Sequence, residues 1–417
     1  MIVRRLVGVI GAAVLALAVA GCGDEPGRLG GDPPAISGLP TTPPMGWNSW
    51  NTFGCGVTEA DVRAQADALV STGLRDAGYR YVVIDDCWSA TARDAQGRLV
   101  ADPDRFPSGM AAMGTYLHGR GLKFGVYSGA SEQTCTQLLG NRAGSTGSLG
   151  HEQTDAQTFA GWGVDYLKYD WCSTDADHDK QVTAFTAMRD ALRSTNRPIV
   201  YNINPNSGLT GGVVPGAQYD WGGVATMTRL SNNVVGAWQT SAGPAGQQGI
   251  VDEIDAAVPL TGRVGQGAFL DPDALVVGSS GLTPAMGRTQ MAMWSMLAAP
   301  LIASNDLTTM SPDTLSTLRN AAVIAVDQDK VVGAGSPVND DPEIWKRAVD
   351  GGAVVSLTNR QNHPRAMSVR LSTLGLPAGE HLVNLWTGQQ VPVRDGWVSV
   401  LVAARDTMLL SAVRAPE

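Results

Sequence analysis

The chain has 417 residues, 43% of them hydrophobic, and 39 acidic against 30 basic side chains give it a formal net charge of -9. A chain this long and apolar can bury a large core, which excludes a disordered protein and suits two or more domains or one barrel with an appendage. No Lys/Arg cluster interleaves with aromatic residues, so nucleic acid is excluded as a partner and a neutral substrate is expected.

The first element is a targeting segment over residues 1–22. Arg4 and Arg5 precede an apolar stretch from Leu6 to Ala20 that is short for a membrane span but suits the core of a signal peptide. Val19-Ala20-Gly21-Cys22 closes it in the manner of a bacterial lipobox, which predicts a lipid on Cys22 and export to the outer face of the bacterial membrane. An ordinary cleaved signal with a chance cysteine, and hence a secreted protein, is the competing reading. Residues 23–40, rich in Gly, Pro and Asp, read as a flexible tether.

From 41 to 330, apolar strand-like runs alternate with helix-like stretches, the pattern of a parallel sheet crossed by helices. Eight strands are expected: Met45–Trp50, Tyr81–Asp85, Lys123–Tyr127, Asp165–Tyr169, Pro198–Asn202, Met227–Arg229, Gly267–Leu270 and Leu301–Ser304. Each is read as ending in a polar or aromatic cluster, as when site groups gather at the C-terminal rim of a (β/α)8 TIM barrel. A doubly wound open sheet would want a glycine-rich phosphate loop after the first strand, and none is present. Between the strands, Glu59–Leu69 reads as a helix capped by Thr58, and Gln290–Leu297 as an apolar helix whose methionines pack in the core. From 331 to 417 the texture changes to short strands and turns, which predicts an antiparallel β-sandwich domain.

Five cysteines are present, and setting Cys22 aside leaves Cys55, Cys87, Cys135 and Cys172, an even set for an exported protein. Four cysteines allow three pairings, which spacing does not separate. No Cys-x-x-Cys pair occurs and the five histidines are scattered, so no metal or other cofactor is expected.

The run Tyr166-Leu-Lys-Tyr-Asp-Trp-Cys172 places Asp170 where a buried strand emerges, with Lys168 on the same face by strand periodicity. A lysine beside an aspartate holds the carboxylate ionised, which a nucleophile needs. Taken alone, the pair also fits an ordinary surface ion pair. Across the strand ends, however, stand Trp50, Asp85, Asp86, Tyr127, Lys168, Asp170, Asn202 and Arg229. Paired carboxylates can accept hydrogen bonds from two hydroxyls of one sugar ring, the cations can donate to others, and tryptophan supplies a flat apolar floor.

These residues sit in motifs that resemble the retaining α-galactosidase and α-N-acetylgalactosaminidase family of glycoside hydrolases. The motifs are Thr42-Pro-Pro-Met-Gly-Trp-Asn-Ser-Trp50, Ile84-Asp-Asp-Cys-Trp88, Gly125-Val-Tyr-Ser128, Asp155 to Asp170, Asp271-Pro-Asp273 and Ala299-Pro-Leu-Ile-Ala-Ser-Asn-Asp306. The resemblance implies a (β/α)8 barrel followed by an antiparallel β domain, Asp170 as nucleophile, and a sugar subsite lined by Trp50, Asp85, Asp86, Tyr127, Lys168 and Arg229. It also implies disulfides Cys55–Cys87 and Cys135–Cys172, and a galactoside oligosaccharide or polysaccharide as substrate.

Two departures accompany it. The family's acid/base aspartate follows the substrate-binding arginine in an Arg-x-x-x-Asp segment, whereas this chain reads Arg229-Leu-Ser-Asn-Asn233. An amide has no acidic proton and little basicity, so acid/base help at that position is lost, typically a factor of ~10²–10⁴. Another acid such as Asp220 or Asp252 serves instead, or the enzyme is slow and confined to activated leaving groups, or the chain is a sugar-binding lipoprotein. Secondly, Asn202-Ile-Asn-Pro-Asn-Ser207 stands where relatives often carry a Cys-Glu-Trp-like segment facing the sugar's 2-position. That leaves L-arabinopyranose and N-acetylgalactosamine open beside galactose.

Overall fold

The computed structural model describes residues 38–175, 177–207, 219–240, 246–377 and 380–413. The targeting segment, Cys22 and all but the last residues of the tether lie outside the described residues. Eight parallel strands follow one another around a curled sheet: β1 (Met45–Asn48), β2 (Tyr81–Ile84), β3 (Lys123–Gly129), β4 (Tyr166–Asp170), β5 (Val200–Asn204), β6 (Met227–Arg229), β7 (Phe269–Asp271) and β8 (Leu301–Ala303). β1 pairs with both β2 and β8, and the circle closes where Leu275, just past β7, bridges to Ala303 of β8. The Leu275 amide donates to the Ile302 carbonyl at 2.7 Å, and Ser304 returns a bond to Leu275 at 3.0 Å. The (β/α)8 barrel expected from the alternating pattern is therefore present.

The period of two along each strand sets what the barrel interior contains. Tyr81, Val83, Tyr166, Val200, Met227 and Phe269 turn inward and form one buried apolar cluster. Their outward neighbours, such as Val82, Ile84, Leu167, Tyr169 and Ile203, join the larger core between sheet and helices. The large inward rings need small partners. A Cβ on Gly125 would lie 2.8 Å from the Val83 side chain and 3.2 Å from Cβ of Tyr166, and one on Gly46 would meet the Tyr81 carbonyl at 2.1 Å. The next inward residues after this apolar floor are Asp85, Lys168, Asn202, Arg229 and Asp271, so the alternation that fills the barrel also lifts a polar layer to its C-terminal end.

The helix Glu59–Ser71 starts at Thr58, whose hydroxyl accepts from the Asp61 amide while the Asp61 carboxylate accepts from the Thr58 amide. The apolar helix begins earlier than its hydrophobic run suggests, at Pro284 behind the Thr283 cap, because proline fits the first helical turn. It ends at Met296, and Met286, Met291, Met293 and Met296 are all buried.

Beyond the barrel lie a six-stranded and a three-stranded antiparallel sheet. Val355, Leu357, Met367, Val369, Leu382, Val398, Val402 and Leu410 make their common core. Trp345, Val354 and Leu409 turn the other way and belong to the barrel's core, so the β domain is packed on the barrel. Ion pairing of Arg288 with Asp406 and a bond from the Thr407 hydroxyl to Thr289 at 2.9 Å tie the same junction. Gln390–Val391 and Val393–Arg394 are two short strands split by Pro392, which has no N–H to give a ladder.

Candidate active site

One pocket at the C-terminal end of the barrel brings together Trp50, Asp85, Lys168, Asn202, Arg229 and Asn233 from strand ends and the segments that follow them. Asn48, Asn51, Tyr166, Asp271, Asp273, Ala274 and Ile302 complete its lining. Strand register explains the convergence: Lys168 stands beside Tyr127 and Asn202 on the flanking strands, and Arg229 beside Asp271.

Lys168 is the hub. Its Nζ donates to both oxygens of Asp85, at 2.9 and 3.1 Å, and lies 3.5 Å from Asp170 Oδ2. Asp85 also accepts from the Asn48 amide at 2.7 Å and from the Asp86 backbone at 2.8 Å, while Asn48 Oδ1 caps the Trp50 amide. Burial alone would lower the Lys168 ammonium, but Asp170 and Asp85 outweigh it and raise it.

Asp170 ends β4, buried, and its Oδ1 has no hydrogen-bond partner among the described residues. Burial pushes its carboxyl up to about 6, only partly offset by the Lys168 charge, with Asp85 adding to the rise. The expected ionising effect of the lysine is thus present but smaller than the cost of burial. The reason is geometric: the lysine's hydrogen bonds are given to Asp85 from β2, a partner that sequence spacing does not reveal.

Arg229 is buried and its Nη2 lies 3.1 Å from Asp273 Oδ2 and 3.2 Å from Asn233 Oδ1. Asp273 Oδ2 also accepts from the Val234 amide at 2.8 Å. Asp273 has a φ of 66°, a left-handed conformation that non-glycine residues adopt at a cost, and its amide donates to Asp271 Oδ1 at 2.9 Å. Asp271 Oδ2 accepts from Asn202 at 2.7 Å, and burial raises its carboxyl.

Asp86, Tyr127 and Asp170 do not line this pocket; Asp170 adjoins it through Lys168. Asp86 accepts from the backbone of Cys87 and from the amide and hydroxyl of Thr136, so its oxygens hold a loop. The buried Tyr127 hydroxyl lies 3.1 Å from Cys172 Sγ, and its ring sits under Lys168 with Nζ 4.9 Å from the centroid. Both pairs Cys55–Cys87 and Cys135–Cys172 are disulfides. Asp252 caps the helix Ile250–Ala257, accepting from Gly249 and Thr240, and Asp220 accepts from the Gly222 amide; neither lines the pocket. Asn204 and Asn206 shape the loop after β5, Asn206 donating to the Arg229 carbonyl at 2.7 Å.

Sequence reasoning did not assign Asn48, Asn51, Tyr166, Asp271 or Asp273 to the site. Tyr166 is inward by the same period as Lys168, and Asp271 by the same period as Phe269, so alternation was the signal available for both.

Carboxylates, two cations and an indole gathered at the C-terminal rim of a (β/α)8 barrel define a carbohydrate-active barrel enzyme. The family model described as alpha galactosidase A matches residues 42–329, and that of the alpha galactosidase C-terminal beta sandwich domain matches 339–412. The chain is 36% identical to an alpha-galactosidase of Cyamopsis tetragonoloba over 371 residues, 88% of this chain and 84% of the relative. It is 41% identical to alpha-galactosidase A of Cellvibrio japonicus over 296 residues, 70% and 69% of the two chains. The crystal structure of alpha-galactosidase I from Mortierella vinacea superposes with a TM-score of 0.81 at 30% identity, covering 91% of this chain and 100% of that one. The chain belongs to the α-galactosidase family of glycoside hydrolases.

Proposed function

We propose that the protein is a retaining hydrolase that releases terminal α-D-galactose from galactosides, with Asp170 attacking the anomeric carbon. The observation that carries this reading is the buried Asp170, one oxygen unpartnered and the other 3.5 Å from Lys168, beside a polar layer able to bind a sugar's hydroxyls. Retention needs two displacements: a galactosyl ester forms on the carboxylate, and water then resolves it. Asp85, held by Lys168 and Asn48, has its oxygens oriented to receive sugar hydroxyls, and Trp50 supplies the apolar wall.

The protein is exported and carried on the outer face of the membrane by a lipid on Cys22. Replacing Cys22 by alanine then releases the protein from membranes into the soluble fraction. Hydrolysis of 4-nitrophenyl α-D-galactoside, followed by NMR of the first-formed sugar, tests the reaction. The α-anomer appearing first supports retention, and the β-anomer contradicts it. A protein that binds galactose but releases no nitrophenol from any aryl glycoside would instead be a sugar-binding lipoprotein.

A further inference from the structure

Among the described residues, each carboxylate lining the pocket is already engaged by a cation or an N–H donor. A retaining enzyme wants a second carboxyl group about 5 Å from the nucleophile, and the carboxylates lining this pocket are Asp85, Asp271 and Asp273. Asp85 takes the Lys168 ammonium and the Asn48 amide. Both oxygens of Asp271 accept N–H donors, from Asn202 and from Asp273. Asp273 takes both the Arg229 guanidinium and the Val234 amide on Oδ2, so its Oδ1 is the one carboxylate oxygen whose role the D273N variant decides. Glu253, a further buried acid, accepts the Ser231 hydroxyl on Oε1 and burial pushes its carboxyl well up, but although its Oε2 is unpartnered among the described residues it does not line the pocket.

Asn233 fills the gap in a different way. The Arg229 guanidinium donates to its Oδ1 at 3.2 Å, which fixes the orientation of the amide. Its Nδ2 is then the free end, with no hydrogen-bond partner among the described residues, and the residue lines the pocket. A carboxamide held this way donates a hydrogen bond to an oxygen that is gaining charge, yet gives up no proton.

We propose that Asn233 is a fixed hydrogen-bond donor to the departing oxygen, and that the protein is selective for α-galactosides whose aglycone leaves as an anion, specifically phenolic aglycones. The inference rests on the galactosidase reading above. In the first step the anomeric C–O bond breaks, its electron pair stays on the departing oxygen, and a phenolate leaves while an Asp170 oxygen bonds to the anomeric carbon. Water then attacks that carbon, the ester C–O bond returns its pair to Asp170, and the surplus proton passes to solvent. Phenolic aglycones fit better than phosphates because Lys168 and Arg229, the pocket's cations, already hold carboxylates, whereas Trp50 offers a flat indole face.

The test is a leaving-group series on the intact protein: aryl α-galactosides from dinitrophenyl to unsubstituted phenyl, with melibiose and α-galactose 1-phosphate as further arms. The expected result is kcat/KM falling steeply as the aglycone becomes more basic, with melibiose slowest and azide accelerating turnover of the good substrates. N233D should raise melibiose turnover by ~10²–10⁴-fold and flatten the series. N233A should lower kcat on nitrophenyl substrates by on the order of 10²-fold through loss of the donor, and a galactose-binding isotherm on the same variant shows that its site remains folded. A flat series in the parent, made steep by D273N, would assign the acid to Asp273 and overturn the proposal, as would preference for the phosphate. If aryl N-acetylgalactosaminides or arabinopyranosides are cleaved with the steep dependence, the galactose reading fails and the leaving-group proposal stands. If galactosides are cleaved with a flat dependence, the reverse holds.

Discussion

Replacing Lys168 by methionine is expected to move the acid limb of catalysis upward in pH. With Asp170 pushed up to about 6 in the free protein, kcat/KM should rise with pH through a single limb near that value, because only the ionised carboxylate attacks. Lys168 Nζ lies 3.5 Å from Asp170 Oδ2. At an effective dielectric constant of ~20 that separation corresponds to about 5 kcal/mol of attraction, an upper bound of about three and a half pKa units. Arg229 remains, and water enters the vacated space, so a shift of roughly one to two units is expected. The assay is kcat/KM for a dinitrophenyl α-galactoside between pH 4 and 9, for the parent, K168M and K168R. Arginine restores the charge without the lysine's shape, so K168R should return the limb towards 6 even if its absolute rate stays low. K168M should also lose about 3–5 kcal/mol of stability at neutral pH, since Asp85 and Asp170 are left buried without their cation. That loss should fade in acid as Asp170 protonates. A limb that stays near 6 in K168M, or moves down, would refute the electrostatic assignment.

Two further outcomes concern the frame of the site. The Cys135–Cys172 disulfide closes a separation of 37 residues next to Asp170, so loop-closure entropy predicts that C135A/C172A loses about 4 kcal/mol in denaturant unfolding; an unchanged midpoint would contradict this. Asp327, buried at the junction of barrel and β domain, is pushed up to about 8 by burial, against an ordinary carboxylate value in the unfolded chain. The folded state therefore holds the extra proton between ~4 and ~8, and stability from this group is lost as pH rises through that window. D327N should flatten the fall in Tm between pH 5 and 9, and an unchanged slope would place the titration elsewhere.

Much of the architecture was legible because the strands obey a simple period. Tyr166, Lys168 and Asp170 alternate with Leu167 and Tyr169, so one short run carries both the barrel's apolar floor and its polar layer. Strand ends were harder to read. β5 runs on to Asn204 because its pairing with β4 continues to Asp170, although asparagine is a turn former by itself. Who holds whom was less visible still. Lys168 sits two residues from Asp170 in sequence yet hydrogen-bonds Asp85 from β2, and Asp273 meets Arg229 across adjacent strands. Asp86 and Tyr127 carry polar groups at strand ends, but a neighbouring loop and a disulfide take those groups, which no local pattern foretells. The asparagine after Arg229 was plain in the sequence, whereas the direction of its free amide comes only from the contact with the guanidinium.

Attack by Asp170 on the anomeric carbon is tested most directly by trapping the ester. With phenolate departure fast and an amide at Asn233 that cannot activate water, the glycosylated protein should accumulate during turnover of 2,4-dinitrophenyl α-D-galactoside. Acid quenching followed by peptide mass spectrometry is predicted to find one hexosyl group, on the peptide carrying Asp170 and absent from D170N. A hexosyl group on another carboxylate, or a burst of dinitrophenol with no labelled peptide, would contradict the account.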